Sequence, residues 1–281
     1  MPLRALNVPA LLRQYNLHPD RSLGQNFLVE EGALAKVAAA AEIAPEETVL
    51  EIGPGLGSLT RHLAAVARRV VAVELDPDLL PALAAVLKPH ANVGVVQGDI
   101  LTLPLQSLGL PPGYKVAANI PYYITSAVIR HLLEAESRPA SIVLTVQREV
   151  AERVCAKPGE MSVLAVSVQF YSVPRIVARI PAGSFYPRPN VDSAVVRLDV
   201  LLRRAVDVKD SEVFFRVVKA GFSQKRKQLR NALSGGLQMS GEQVEVWLGR
   251  AGVDPRRRAE TLGLEEWAAL SESLEKPGQS A

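Results

Sequence analysis

Between residues 48 and 146 the chain alternates short apolar runs with segments of helical spacing. The runs are Thr48–Ile52, 70–74, Val93–Gln97, Lys115–Asn119 and 141–146. Three of the four intervals between them (59–67, 79–87 and 126–133) carry apolar residues at helix-face spacing. Runs apolar at nearly every position suit strands buried on both faces by helices, as in a parallel sheet. The pattern predicts an α/β fold built on a doubly wound, Rossmann-like sheet. In such sheets ligands bind beyond the carboxyl ends of the strands. The residues that close each run are therefore the candidates for chemistry.

The remainder is less regular. Residues 149–154 read as helix, whereas 162–171 fits neither period, because Val163, Val166 and Val168 suit helix or strand. Strand-like runs at 175–180 and 191–200 are joined by residues 181–190, where Pro187 and Pro189 flank Arg188 and predict a stiff, extended linker. Beyond residue 202, Val213, Phe214, Val217, Val218, Phe222, Leu229 and Leu233 fall on one helical face. Helices at 241–249 and 264–274 complete a small all-helical C-terminal domain. Residues 276–281 read as a frayed tail. The domain boundary is expected between 201 and 202.

Composition narrows the setting. The 281 residues allow one large domain and a small one, and 48% apolar content suits a sizeable core. No window approaches a membrane span. The opening Met1-Pro2-Leu3-Arg4 lacks a signal-peptide pattern, and the single Cys155 excludes an internal disulfide, so a cytoplasmic location is expected. Cys155 is expected to be an inert, partly buried thiol. Four scattered histidines, none at ligand spacing, argue against a metal site. Net charge is +3, but nine basic residues between Arg203 and Arg230 face three acids, a local excess of +6. The rest of the chain is then acidic. The density peaks in Lys225-Arg226-Lys227 and Arg230, a stretch read as a basic helix able to grip phosphates rather than merely to be solvated.

The strand ends carry distinct chemistry. Gly53-Pro54-Gly55-Leu56-Gly57 follows the first run and opens a helix, a turn that lets backbone approach a ligand. A dinucleotide turn needs glycine at the sixth position, where this chain has Ser58, which favours a smaller cofactor over a pyrophosphate. Glu74, about 20 residues on, can accept both hydroxyls of a ribose. Asp99 can accept an adenine amine or cap the next segment. Together these describe an adenosine-type cofactor without a phosphate. Asn119-Ile120-Pro121-Tyr122 closes the fourth run. An amide oxygen and a neighbouring carbonyl can hold the hydrogens of an exocyclic amine out of the base plane. The amine's delocalised lone pair is then free to attack. Tyr122 can stack on the base, and Phe185 in the stiff linker can form the opposing wall or pack in the core.

These segments resemble the ribosomal RNA adenine N6,N6-dimethyltransferase family. The resemblance runs through Leu23-Gly24-Gln25-Asn26-Phe27-Leu28, the glycine turn, the segment from Asn119 to Ser126, and the segment from Gln147 to Arg153. It continues in Phe185-x-Pro187-x-Pro189-x-Val191-Asp192-Ser193, the segment from Phe222 to Asn231, and Arg258-Ala259-Glu260-Thr261-Leu262. It implies S-adenosylmethionine as methyl donor and two adjacent adenines near the 3′ end of 16S rRNA in the small ribosomal subunit as target. Asn26, Leu28, Gly53, Gly55, Glu74, Asp99 and Asn119 are then the expected cofactor contacts. Asn119, Tyr122 and Phe185 are expected at the target base, and Lys225, Arg226, Lys227 and Arg230 on RNA. Residues 1–201 would be the catalytic domain and 202–281 a helical RNA-binding domain, acting as a monomer with no metal and no membrane partner. The chain departs from the family pattern at Pro158-Gly159-Glu160-Met161-Ser162. A large-subunit (23S) rRNA enzyme would share the pocket, although the basic stretch and residues 258–262 look more like the small-subunit type. Two further classes fit parts of the pattern. One is an RNA-binding factor that keeps the fold without catalysis, against which the intact cofactor positions count. The other is a nicotinamide oxidoreductase, against which Ser58 and the Asn119–Tyr122 turn count.

Overall fold

A computed structural model describes Leu3 and residues 5–274; the tail at 276–281 lies outside the described residues. Contacts divide the chain into two compact units, the first comprising residues up to Ala151 with Val173–Val200, the second Glu152–Ser172 with Leu201 onward. Residues 152–172, expected in the first domain, thus group with the helical unit.

In chain order the first unit contains α1 (Val8–Gln14), β1 (Phe27–Leu28), α2 (Glu31–Ala40), β2 (Thr48–Ile52), α3 (Ser58–Ala64) and β3 (Arg69–Glu74). There follow α4 (Leu80–Leu87), β4 (Val93–Gln97), β5 (Lys115–Asn119), α5 (Thr125–Leu133) and β6 (Ser141–Gln147). Past α6 (Arg148–Val154) and α7 (Val163–Tyr171) come β7 (Ser172–Ile180), β8 (Phe185–Tyr186) and β9 (Ser193–Val200). Seven strands form one sheet in the order β4-β3-β2-β5-β6-β9-β7. Strands β2 to β6 pair in parallel, and β9 runs antiparallel to β6. The result is a doubly wound, Rossmann-like sheet. Its order reverses between β2 and β5, the switch point at which such sheets open a ligand crevice.

The burial explains why these runs are strands. Val49, Leu50, Val70, Val71, Val116 and Val143 are all buried, and β-branched residues pack well on a pleated surface. Leu34 and Val37 of α2, with Leu59 and Leu63 of α3, cover one part of the sheet. Val8 and Leu12 of α1 pack with Leu79 and Ala82 around Phe27 and Leu56. Strand β4 is the exception: it lies at the sheet edge, and Gly94, Val95 and Gln97 are exposed. Its apolar run does not signify burial on both faces.

Residues 162–171 resolve as helix because the Ser162 hydroxyl accepts from the Ala165 amide at 3.1 Å, capping the first turn of α7. The linker at 181–190 is not uniformly extended. A short 3-10 turn at Ala182–Ser184 leads into β8, which pairs antiparallel with β1.

The second unit contains α7 with α8 (Ser211–Gly221), α9 (Leu229–Leu237), α10 (Gly241–Arg250) and α11 (Leu264–Glu272). Phe170 of α7 stacks on Phe214 of α8 at 4.7 Å, and Val166 joins Val217, Leu233, Leu248 and Trp267 in one core. That packing is why 152–172 belongs here. The divergent loop at 158–162 is tied down as well: the Gly159 and Met161 amides both donate to the Glu260 carbonyl, at 2.8 and 3.0 Å.

Candidate active site

Four strand ends and the segment before β1 line one cleft. Glu51 and Ile52 of β2, Gly53 and Gly55 after it, Glu74 of β3, Asp99 after β4 and Asn119 of β5 all face it, with Asn26, Leu28, Ile100, Tyr122 and Tyr123. Every residue assigned to the cofactor from the sequence is among these. Glu51, Glu74 and Asp99 contribute carboxyl groups, whereas no Lys or Arg among the described residues lines the cleft. With no cation in its lining, the cleft offers a phosphate no partner.

The glycine turn is built around Glu74. Its Oε2 accepts from the Gly55 amide and its Oε1 from the Asp76 amide, each at 2.9 Å. Each oxygen keeps one further acceptor site, so Glu74 can both fasten the turn and receive hydroxyls. Burial raises its pKa, opposed by these backbone donors. Gly53 and Gly55 adopt left-handed φ of 67° and 58°. A Cβ at Gly55 would lie 2.9 Å from the Phe27 ring, whereas at Gly53 the nearest neighbour is the Asn119 carbonyl, 3.9 Å away. Gly55 is thus required by conformation and by packing, while Gly53 leaves open space for a ligand.

Asn119 is fixed by its neighbour rather than by its strand. Its Nδ2 donates to the Asn26 carbonyl at 3.0 Å, which leaves Oδ1 as the acceptor. Asn26 in turn donates its own amide to the Gly24 carbonyl at 3.1 Å. Gln25 anchors this segment, with Nε2 donating to Asp76 Oδ2 at 2.7 Å. Asp99 does cap its turn, Oδ1 accepting from the Leu101 amide at 2.9 Å, and its second oxygen is not engaged there.

The half-buried Tyr122 is held at its tip, its hydroxyl sharing a 2.7 Å hydrogen bond with Ser193 Oγ. Burial raises the phenol's pKa, with the Ser193 bond opposing. Phe185 is placed differently from the open wall expected of it. It is 4% exposed, pairs with Leu28 across the β1–β8 ladder and packs with Leu34 and Ile180. Strand alternation turns Phe185 inward and its neighbour Tyr186 outward.

Sequence reasoning passed over Glu51. It is 1% exposed, its Oε2 has no hydrogen-bond partner, and burial pushes its carboxyl up to about 8, reinforced by the charge of Glu74. The one signal for it was an acid inside the otherwise apolar strand Thr-Val-Leu-Glu-Ile. Tyr123 was missed as well, though it is 63% exposed.

The basic stretch is not a helix. Residues 223–228 connect α8 to α9, and Lys225, Arg226 and Lys227 are exposed with no ion-pair partner among the described residues. Arg230, on α9, is engaged: its Nε lies 3.2 Å from Glu245 Oε2. Among the described residues no group of three His, Cys, Asp or Glu could hold a metal ion, and no helix is long and apolar enough to cross a membrane.

Comparison with known proteins adds an independent line. The family model for ribosomal RNA adenine dimethylases matches residues 17–276. The chain is 47% identical to "Ribosomal RNA small subunit methyltransferase A" of Moorella thermoacetica, over 95% of this chain and 96% of that one. It is 45% identical to the protein of the same name from Dehalococcoides mccartyi, over 96% and 95%. Among solved structures, the 23S rRNA methyltransferase ErmE superposes with a TM-score of 0.71 at 32% identity, covering 89% of this chain and all of that one. The chain is a methyltransferase and belongs to the ribosomal RNA adenine dimethylase family.

Proposed function

We propose that this protein transfers methyl groups from S-adenosylmethionine to N6 of two adjacent adenosines in a loop near the 3′ end of 16S rRNA, acting on the small ribosomal subunit or its precursor during ribosome biogenesis. The reading is that of a cytoplasmic, monomeric enzyme without a metal. The small-subunit target is supported by the names of relatives that match nearly end to end. The cofactor is supported by the cleft's acids and lack of basic residues, which suit a nucleoside carrying sulfonium and ammonium charges.

Asn26, Leu28, Gly53, Gly55, Glu74, Asp99 and Asn119 are the proposed cofactor contacts. Glu74 would receive the ribose hydroxyls and the free oxygen of Asp99 the adenine amine. When bound, the donor supplies an electrophilic methyl that needs no further activation. The chain's part is then positioning and exclusion of water. The observation that carries the reading is the state of Asn119. With Nδ2 of this cleft-lining residue committed to the Asn26 carbonyl, Oδ1 is the acceptor it has left and is proposed to take one N6 hydrogen. An acceptor there draws the amine out of conjugation and aims its lone pair. Tyr122, steadied by Ser193, is the proposed stacking ring for the flipped adenine. Phe185 is proposed to form the opposing wall from behind, through Leu28, its cleft-lining partner across the β1–β8 ladder. Lys225, Arg226 and Lys227 are proposed phosphate contacts, with Arg230 contributing less while Glu245 holds it. The helical unit is then the RNA-binding part and the sheet unit the catalytic one.

The test is incubation with labelled S-adenosylmethionine and undermethylated small subunits, followed by mapping of the labelled nucleotide. Label on two adjacent adenines near the 3′ end of 16S rRNA is the expected result. The likeness to ErmE keeps a large-subunit target as the second reading, and label on a 23S adenine would establish it.

A further inference from the structure

Tyr123 is an exposed aromatic ring at a site where exposure has no structural benefit. It is 63% exposed, lines the mouth of the cleft and follows directly on Tyr122 in the 3-10 turn Tyr122–Ile124. The ring is supported from one side. Gly24 sits against it with φ of +63°, and a Cβ there would lie 3.4 Å from Tyr123 Cδ1 and Cε1 and 3.1 Å from Pro121 Cβ. The turn at Gly24 is itself closed by its amide donating to the Arg21 carbonyl at 3.1 Å. The ring therefore has a backbone seat behind it and water in front. No hydrogen bond or ring contact holds its outer side among the described residues.

A base drawn from a strand into a pocket leaves its neighbour without a stacking partner, at a cost of a few kcal/mol. A seated aromatic at the pocket mouth offsets that loss, because every base has a face to stack and the contact is tolerant of sequence. We propose that Tyr123 is a substrate-positioning residue that stacks on the nucleobase flanking the flipped adenine. This rests on the adenine-N6 reading above and adds to it a second base contact one residue from Tyr122.

The test compares Tyr123→Ala, Tyr123→Phe and Tyr123→Trp in the full chain. On undermethylated small subunits, Tyr123→Ala is expected to raise KM for the subunit roughly 5- to 150-fold, the range for loss of one base stack. Its kcat and its affinity for S-adenosylhomocysteine should stay within about twofold of the parent by that reasoning. Tyr123→Phe, which keeps the ring, is expected to restore KM. Tyr123→Trp should show fluorescence quenching on titration with a short single-stranded adenine-containing RNA, beyond the background of the buried Trp247 and Trp267. An unchanged KM in Tyr123→Ala, failure of Tyr123→Phe to rescue, or an unquenched Tyr123→Trp each overturns the proposal. Failure of the unsubstituted protein to label small subunits would instead overturn the substrate reading, and the quenching arm would still decide the role of Tyr123.

Discussion

The two units present opposite chemistry to solvent and to any ligand. The cleft of the sheet unit is lined by Glu51, Glu74 and Asp99, two of them buried, and has no basic residue among the described ones. The helical unit offers Lys225, Arg226 and Lys227 on an exposed connection with no acid paired to them among the described residues. Buried acids act at short range and are little screened by salt, whereas exposed cations act through an ion atmosphere that salt erodes. On the proposed reading the sheet unit is selective for a small nucleoside and the helical unit holds a polyanion with little selectivity. Substitutions should separate the two.

The largest separation is expected from Gly55→Val. A β-branched side chain at φ of 58° is strained and must displace the Phe27 ring. Relieving the strain must shift the turn away from Glu74, and calorimetry should find donor affinity reduced roughly 10- to 100-fold, as loss of a hydrogen bond to a carboxylate implies, with affinity for the subunit little changed. Equal loss of both would mean that the two functions are not separable. Next in size is the triple substitution Lys225→Ala, Arg226→Ala and Lys227→Ala. The slope of log affinity against log salt should flatten by about 2 to 3, while donor affinity holds. An unchanged slope would remove this segment from the RNA contact.

Glu51→Gln probes the cleft's buried acid through pH. The folded-state pKa of about 8 lies above the ordinary 4.5, so the folded protein keeps a proton that the unfolded chain releases between those values. The stabilisation this provides is complete below about 4.5 and is lost as pH rises through about 8. The slope cannot exceed roughly 1.4 kcal/mol per pH unit. Melting temperatures measured from pH 5 to 8.5 should therefore fall less steeply in Glu51→Gln than in the parent. Parallel curves would show that Glu51 ionises normally. The smallest effect is expected for Arg230→Ala, since the ion pair with Glu245 is exposed and worth about 1 kcal/mol or less. Subunit affinity should drop less than for Lys225→Ala alone; an equal drop would make Arg230 a full phosphate contact.

The sheet was legible because β2, β3, β5 and β6 are buried on both faces and their residues say so. Strand β4 has the same apolar spelling but sits at an edge, and edge position is a property of the assembled sheet rather than of the run. The α7 segment was ambiguous because it is apolar almost all round, and one hydroxyl cap decided it. The glycine turn, Glu74, Asp99 and Asn119 stood out because strand ends bearing such residues have few structural uses. Asn26 came only through family resemblance. Its contribution to Asn119 is a backbone carbonyl, which side-chain identity does not advertise. Phe185 shows the reverse: an aromatic that fits a base pocket on paper also fits the core, and β8 pairing with β1 put it there.

The central claim is that Asn119 positions the attacking amine and is dispensable for holding most of the donor. Single-turnover methyl transfer by Asn119→Ala, with donor and small subunits both saturating, tests it most directly. The account predicts a rate lowered roughly 100-fold or more, as misplacement of a reacting group implies, with donor affinity reduced only a few-fold. A single-turnover rate close to that of the parent would contradict it.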